Sequence, residues 1–519
     1  MEFVLLQAVF LPLLLSPLAY ILGRKVGTNA AMWFTFGLLL YCTIIIIQAT
    51  LGGTYEEHYQ WTTLFGEFGF VLDGLAAPFA IIIYVLCTIL AIYSKPYMIH
   101  KFEHLFKEHY QQNSDVSDTQ TTALIESSAL KTYINNQSGL YFAMFLVFAM
   151  GMLGTVLSTN LIEFYIFFEV MLIPSFFLIA WYGDGARRRI ALMFFFWTHV
   201  GAVVLLLGFL AIGLSIGSFD FVDIVESEIP EDIIVISAVA IILGLGVKLA
   251  AFIFHVWLPY AHGAAPTPIS ALLSPAMIGI GAYGVFRLII EFLPQTYSDL
   301  SIVLTVWGVT TMFYGGAMAL MQDDLKRLLA YSSISQMGYL LFGLGSLSAY
   351  GLAGAEMMYV SHALGKGLLF MTAGVLIVQV GTRSISKLGG LAGKMPITAV
   401  CAVIGALTIM GVPPTSGFMG EWMLFYGALE TAIEEGNDLR SLMVALGLVA
   451  TVLTMSYMLW MIKRVFFGKL PENLANVKDG NWYMLAPMMV LAGFTMVVGI
   501  YPDIFLSKIM PYMQGVLGV

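Results

Sequence analysis

Six ionisable side chains lie within runs of apolar residues. Glu169 occupies Phe167-Phe168-Glu169-Val170 with Pro174 five residues on, and Lys248 occupies Gly246-Val247-Lys248-Leu249. His255 follows Lys248, His362 and Lys366 stand at i and i+4, and Glu421 adjoins Gly420. A charge at a bilayer centre costs about 2.5–3.5 kcal/mol on insertion scales, so groups so placed are functional candidates by default. Burial and neighbouring charge can bring Glu, His and Lys to exchange protons near neutral pH, which makes proton carriage the chemistry this set could perform. Seven residues are two helical turns, placing His255 on the face of Lys248, and Glu356 precedes His362 by about two turns. The structural alternatives are a static ion pair for Glu169 and Lys248, and satisfied core histidines for His255 and His362. Arg287 and Glu291, one turn apart near a span end, read as a structural or snorkelling pair. Glu163 and His199 are open between an interface position and a buried one.

The elements that must hold these residues are membrane helices. Of 519 residues, 59% are hydrophobic and 11% charged, more apolar surface than a water-soluble core can hide. Runs of the roughly 20 residues needed to span lipid follow one another almost end to end. Spans are expected near 2–22, 29–51, 70–94, 138–158, 159–182, 190–214, 233–258, 267–292, 300–321, 327–347, 352–380, 396–433, 441–462 and 482–507. A barrel would show short alternating segments, whereas Ile233 to Trp257 is one continuous run, so the fold class is all-α, a polytopic membrane protein of about fourteen helices. The first span has no basic leader and is read as retained. Cys42, Cys87 and Cys401 are scattered without C-x-x-C clusters, so no cofactor and no metal centre is expected on the chain.

Threading the spans alternately collects nearly all Lys and Arg on one side: Arg24, Lys25, Lys95, Lys101, Lys107, Lys131, Arg187 to Arg189, Lys326, Arg327, Arg383, Lys387, Lys394, Lys463, Arg464, Lys469 and Lys478. The opposite side keeps Arg440 and Lys508 and is acidic at Glu56-Glu57, Asp220 to Asp232 and Glu434 to Asp438. That bias orients the basic loops to the cytoplasm and both termini outside a plasma membrane. The chain divides into helices 1–3 (1–94), a long polar cytoplasmic loop (95–137) open to being an amphipathic cap or a partner contact, two helical units (138–292 and 298–466) and a C-terminal helix (482–519).

Two segments break the pattern at membrane depth: His255-Val256-Trp257-Leu258-Pro259 on to Ala265-Pro266-Thr267-Pro268, and Gly411-Val412-Pro413-Pro414-Thr415-Ser416-Gly417. Proline removes a donor and glycine loosens the backbone, freeing carbonyls that only water or protein can satisfy. Interruptions are therefore expected near 257–268 and 411–417, Lys248 before one and Glu421 after the other. Five spans apart, they suggest two related bundles, as in inverted-repeat transporters.

These motifs, with Asp324-Leu325-Lys326-Arg327-Leu328-Leu329-Ala330-Tyr331-Ser332-Ser333, His362-Ala363-Leu364-Gly365-Lys366 and Gly417-Phe418-Met419-Gly420-Glu421, resemble the antiporter-like membrane subunits of respiratory complex I, membrane-bound hydrogenases and large Mrp-type antiporters. The resemblance covers residues from about 140 to 430. It implies two inverted five-helix repeats (spans 4–8 and 9–13), discontinuous helices 7 and 12, and proton-transfer roles for Glu169, Lys248 and Glu421. A glutamate at 421 is similar to the fourth-type complex I and Mrp D-type subunits. The chain departs at span 8, where many relatives carry a lysine four residues before the tyrosine and Gly279 precedes Tyr283 here.

The expected function is proton or cation translocation within a redox-driven multisubunit complex, running from Lys248 through His255, His362 and Lys366 to Glu421. No Walker loop, dinucleotide fingerprint or nucleic-acid motif is present, so an enzymatic redox centre would belong to partners: other membrane subunits and iron-sulfur subunits of a peripheral arm. The alternatives are an Mrp-type sodium/proton antiporter without redox chemistry, and a structural membrane anchor with a vestigial ion path.

Overall fold

The computed structural model describes residues 3–111 and 119–518. In chain order the helices are α1 (Val4–Lys25), α2 (Thr28–Leu51), α3 (Ala76–Gln111), α4 (Thr119–Leu157), α5 (Leu161–Val170), α6 (Leu172–Tyr182), α7 (Arg187–Ile216), α8 (Phe221–Glu226), α9 (Glu231–Leu249) and α10 (Trp257–Ala264). They continue as α11 (Thr267–Leu272), α12 (Gly279–Val285), α13 (Pro294–Leu320), α14 (Leu325–Leu344), α15 (Ala349–Val380), α16 (Pro396–Ile409), α17 (Ser416–Glu434), α18 (Asp438–Phe466), α19 (Trp482–Ile500) and α20 (Asp503–Leu517). Among the described residues, 12 helical segments are long and apolar enough to cross a membrane. The protein is thus a polytopic, overwhelmingly helical membrane protein. Two expected spans fall outside that group: α14, buried and rich in Ser and Gln, and the pair α16 and α17, split by the second break.

Three elements differ from expectation. Residues 55–72 form an antiparallel hairpin, β1 (Tyr55–Thr62) with β2 (Gly66–Leu72), so the third span begins at Ala76, later than the apolar run suggests. Tyr, Trp, Thr and Phe favour the pleated backbone, and Gly66, at φ 87, supplies the left-handed residue the turn needs. Within 95–137 α3 runs on to Gln111 and α4 begins at Thr119, since neither stretch holds a glycine or a proline after Pro96, and the Phe106 and Tyr133 rings, 5.4 Å apart, pack one helix on the other. Residues 112–118, the centre of the expected loop, lie outside the described residues. The C-terminal segment holds two helices, since Pro502 ends the membrane helix and starts an amphipathic one.

The joints gather at two ends. At one, Phe70 bridges Ser158, Asn160 bridges Asp220, and Arg287 binds Asp73 (2.7 Å), Glu291 (2.8 Å) and Tyr512 (2.6 Å). Arg440 there holds Glu435 at 2.7 Å and Ser301 at 2.6 Å. At the other, Asp184 pairs with Lys101 and Arg383, Arg383 pairs with Asp324 at 2.6 Å, and Asp323 accepts from Ser384 and Ser386. Burial pushes the Asp184 carboxyl up, but Lys326, Lys101 and Arg383 outweigh it and hold the group below its ordinary value.

Candidate functional site

The site is built around two interrupted helices and one continuous one. α9 stops at Leu249, immediately after Lys248, because Ala250 (φ 54) and Ile253 (φ 83) turn into the left-handed region. Neither is glycine, so this turn carries backbone strain that its surroundings must hold. Three indoles do so: Trp257 donates to the Val247 carbonyl (2.9 Å), Trp307 to Phe252 (3.0 Å) and Trp197 to Phe254 (2.9 Å). The interruption spans 250–256, one turn ahead of the prolines that mark it in the sequence, and a second gap follows at Ala265-Pro266. The early stop also defeats the two-turn argument for His255: with no helix between them, Lys248 and His255 share no face. His255 instead lies 2.9 Å through Nε2 from the Tyr314 hydroxyl.

Lys248 is 2% exposed and sits 4.5 Å above the Phe168 ring, within Coulombic reach of Glu169. Among the described residues no ion pair joins the two. Glu169 ends α5, where Pro174 leaves the Val170 carbonyl without its helical donor, and its Oε2 is 2.8 Å from His199 Nδ1. Glu163, open in the sequence, is buried and accepts from the Gly69 and Thr159 amides at 3.3 Å each, beneath the hairpin.

Between the breaks runs α15, 32 residues and buried from Gly351 to Leu376. Lys366 donates to the Leu329 carbonyl (3.0 Å) and to the Ser332 hydroxyl of α14. His362, one turn away, has no partner for either nitrogen among the described residues. Two groups that the linear reading did not single out join this cluster. His262 of α10 stacks on Phe370 at 5.5 Å, within Coulombic reach of Lys326 and Lys366, with both nitrogens unpartnered among the described residues. Lys326, read as a cytoplasmic loop cation, is 0% exposed and donates to the Ala265 carbonyl freed by the second gap of the first broken helix. Next to Arg327 in sequence it looks like half of a basic pair; only the proximity of Ala265 turns it inward. Ser274 and Ser333, 2.6 Å apart, link α14 to the π-helical turn Leu273–Met277 formed around Pro275.

The second break, between Ile409 and Ser416, is tight. Gly411 adopts φ 64, and a Cβ on it would lie 1.9 Å from Glu421 Oε2, so the carboxylate rests on the bare turn. Ser416 and Thr408 both meet the Thr495 hydroxyl of α19, at 2.8 and 3.3 Å. Gln336 Nε2 reaches the Ile409 carbonyl at 3.4 Å, joining α14 to this break as Lys326 joins it to the other. Where span 8 lacks a lysine, a Cβ on Gly279 would lie 2.1 Å from the Tyr359 ring: a phenol from α15 fills the space.

The arrangement is one of buried acids and bases strung between two backbone interruptions. Residues 158–436 match the family described as NADH:quinone oxidoreductase/Mrp antiporter, TM. The chain belongs to that family. It is 29% identical over 500 residues to F(420)H(2) dehydrogenase subunit M of Methanosarcina mazei, covering 93% of this chain and 91% of that one. It is 32% identical over 543 residues to a Na(+)/H(+) antiporter subunit from Alkalihalophilus pseudofirmus, covering 98% of this chain and 62% of that protein. Its fold superposes on a chain of respiratory complex I from Thermus thermophilus with a TM-score of 0.81 at 25% identity, covering 99% of both chains. The solved relatives are multisubunit membrane assemblies, so other membrane subunits are partners of this family member as well.

Proposed function

We propose that this chain carries protons across a membrane as one subunit of a redox-driven complex, using Glu169, Lys248, His362, Lys366 and Glu421, with His262 and Lys326 completing the middle of the route. The observation that carries the reading is Lys366, fully buried and bound to neutral oxygens, on the helix that packs against both broken ones. An amine so held has in the Ser332 hydroxyl a partner that can both donate and accept a proton. Glu169 has two basic groups within reach, Lys248 and His199. Moving the carboxylate toward one and away from the other would load or unload the lysine. His255, bound to Tyr314, stands beside this route and serves as a side entry to it. The full arrangement is fourteen crossings in two inverted five-helix units, the Arg187–Arg189 end facing the cytoplasm and both termini outside, with redox partners that hold iron-sulfur centres.

The second reading, sodium/proton exchange without redox chemistry, is favoured by the 32% identity, across 98% of this chain, to a protein of sodium/proton antiport. Copurification separates the two: iron-sulfur subunits support the first, small membrane chains alone the second. Proton carriage itself is tested by Lys248→Ala in sealed vesicles holding the assembled complex. Ion uptake is expected to fall more than roughly tenfold, the loss of about 1.4 kcal/mol or more in coupling, with partner content unchanged. Normal uptake at normal assembly would reduce Lys248 to a structural residue.

A further inference from the structure

One face of α15 continues beyond His362 and Lys366 into polar groups that the route to Glu421 does not use, Tyr359 and Glu356. Glu356, Tyr359 and His362 follow at steps of three residues and Lys366 at a further four, a stripe about 15 Å long on a helix rising 1.5 Å per residue. All are buried, and Glu356 Oε1 and Oε2, the Tyr359 hydroxyl and both His362 nitrogens have no hydrogen-bond partner among the described residues. One such orphan is an oddity, whereas three in succession along one face define a track that bound water would complete. At its outer end Glu356 is within Coulombic reach of Asp73 and Arg287. There Asp73 and Glu291 share a single guanidinium, leaving net negative charge beside partly exposed carboxylates.

Glu421 sits on the other side of the same helix. Gly420 packs on the Met357–Met358 backbone of α15, which sets Glu421 and Glu356 at similar depth. Glu421 faces the Gly411 turn and Tyr339 of α14, while Glu356 faces the start of α3 and the end of the π-helical turn Phe286–Glu291.

We propose that Glu356 is a second proton outlet, branching from His362 and Lys366 through Tyr359 and opening at the Asp73–Arg287–Glu291 cluster. It rests on the proton-carrying reading above. A proton leaving the Lys366–His362 pair crosses water past the Tyr359 hydroxyl and binds a Glu356 oxygen, giving a neutral carboxyl. That carboxyl then returns it to water beside Asp73, drawn by the excess negative charge there.

The test is proton uptake into sealed vesicles holding the whole complex, with partner content measured for each variant: Glu356→Gln, Glu421→Gln, the double variant, and Lys248→Ala as control. Glu356 makes no hydrogen bond to lose, so its isosteric amide is expected to assemble normally; should it not, Tyr359→Phe carries the same test. Each single variant is expected to keep a measurable part of uptake, within several-fold of the parent, and the double to fall to the Lys248→Ala level. Glu421→Gln alone at that level overturns the second outlet, as does a Glu356→Gln variant with parental uptake that takes nothing further from Glu421→Gln. Parental uptake by Lys248→Ala would instead sink the proton-carrying reading itself.

Discussion

The two interrupted helices reach a similar shape by opposite means. The second uses Gly411, whose missing Cβ makes room for the Glu421 carboxylate, and prolines that forbid helix. The first contains neither between Ala250 and Val256; it bends through two left-handed non-glycine residues and is held by indole N–H donors from three directions. One is stiff because its own backbone has few alternatives, and the other because its neighbours insist. The carriers differ in step. Lys248 lies in the last turn of α9, where the helix dipole favours a cation, whereas Glu421 lies in the second turn of α17, past the reach of its helix end, and rests on the bare Gly411 turn instead. Only the first break therefore offers the charge that its adjoining helix end stabilises.

Substitutions can break that comparison. Gly411→Ala has the largest expected effect on stability, because it forces an L-residue to positive φ and drives a methyl into Glu421: about 1–3 kcal/mol from the backbone alone, with the carboxylate displaced as well. Thermal unfolding of the purified complex together with vesicle uptake measures both, and an unchanged midpoint would mean that the turn is looser than its geometry implies. Trp257→Phe keeps most of the packing but takes the indole donor from the Val247 carbonyl, which is left with the Ala250 amide at 3.2 Å, at a cost of about 0.5–1.5 kcal/mol. A fall in melting temperature with only modest loss of uptake is expected. Smallest and opposite in sign, Ala250→Gly relieves the left-handed residue and is expected to be neutral or stabilising by under about 1 kcal/mol. Destabilisation by Ala250→Gly equal to that of Gly411→Ala would erase the distinction between the two breaks.

The same contrast explains what the sequence disclosed. Apolar runs located the membrane helices, and Gly411-Val412-Pro413-Pro414 located the second break, because both are local properties of the chain. At the first break the prolines located the gap at Ala265-Pro266 but not the longer interruption a few turns earlier, because Ala250 to His255 carries no local instruction; indoles from Trp197 and Trp307, far away in sequence, decide it. Lys326 and His262 were missed as site residues for the same reason, their burial depending on which helix lies opposite. The hairpin at 55–72 was hidden by the apolar end of β2, which reads as the start of a span until pairing with β1 removes it. The burial or half-burial of Glu169, Lys248, His362, Lys366 and Glu421 needed no such help, since a charged residue in an apolar run stands out in one dimension.

The hairpin also bears on how the chain is made. Glu57 accepts from the backbone amides of Leu5 and Leu6 at 2.9 Å each, closing the open start of α1. Tyr59 donates to the same carboxylate at 2.9 Å, and Phe3 stacks on its ring. The amides that begin α1 are thus satisfied by a residue synthesised only after the whole of the second helix. Until the hairpin folds back, these two amides lack that acceptor, and α1 and α2 become a closed unit only with the hairpin in place.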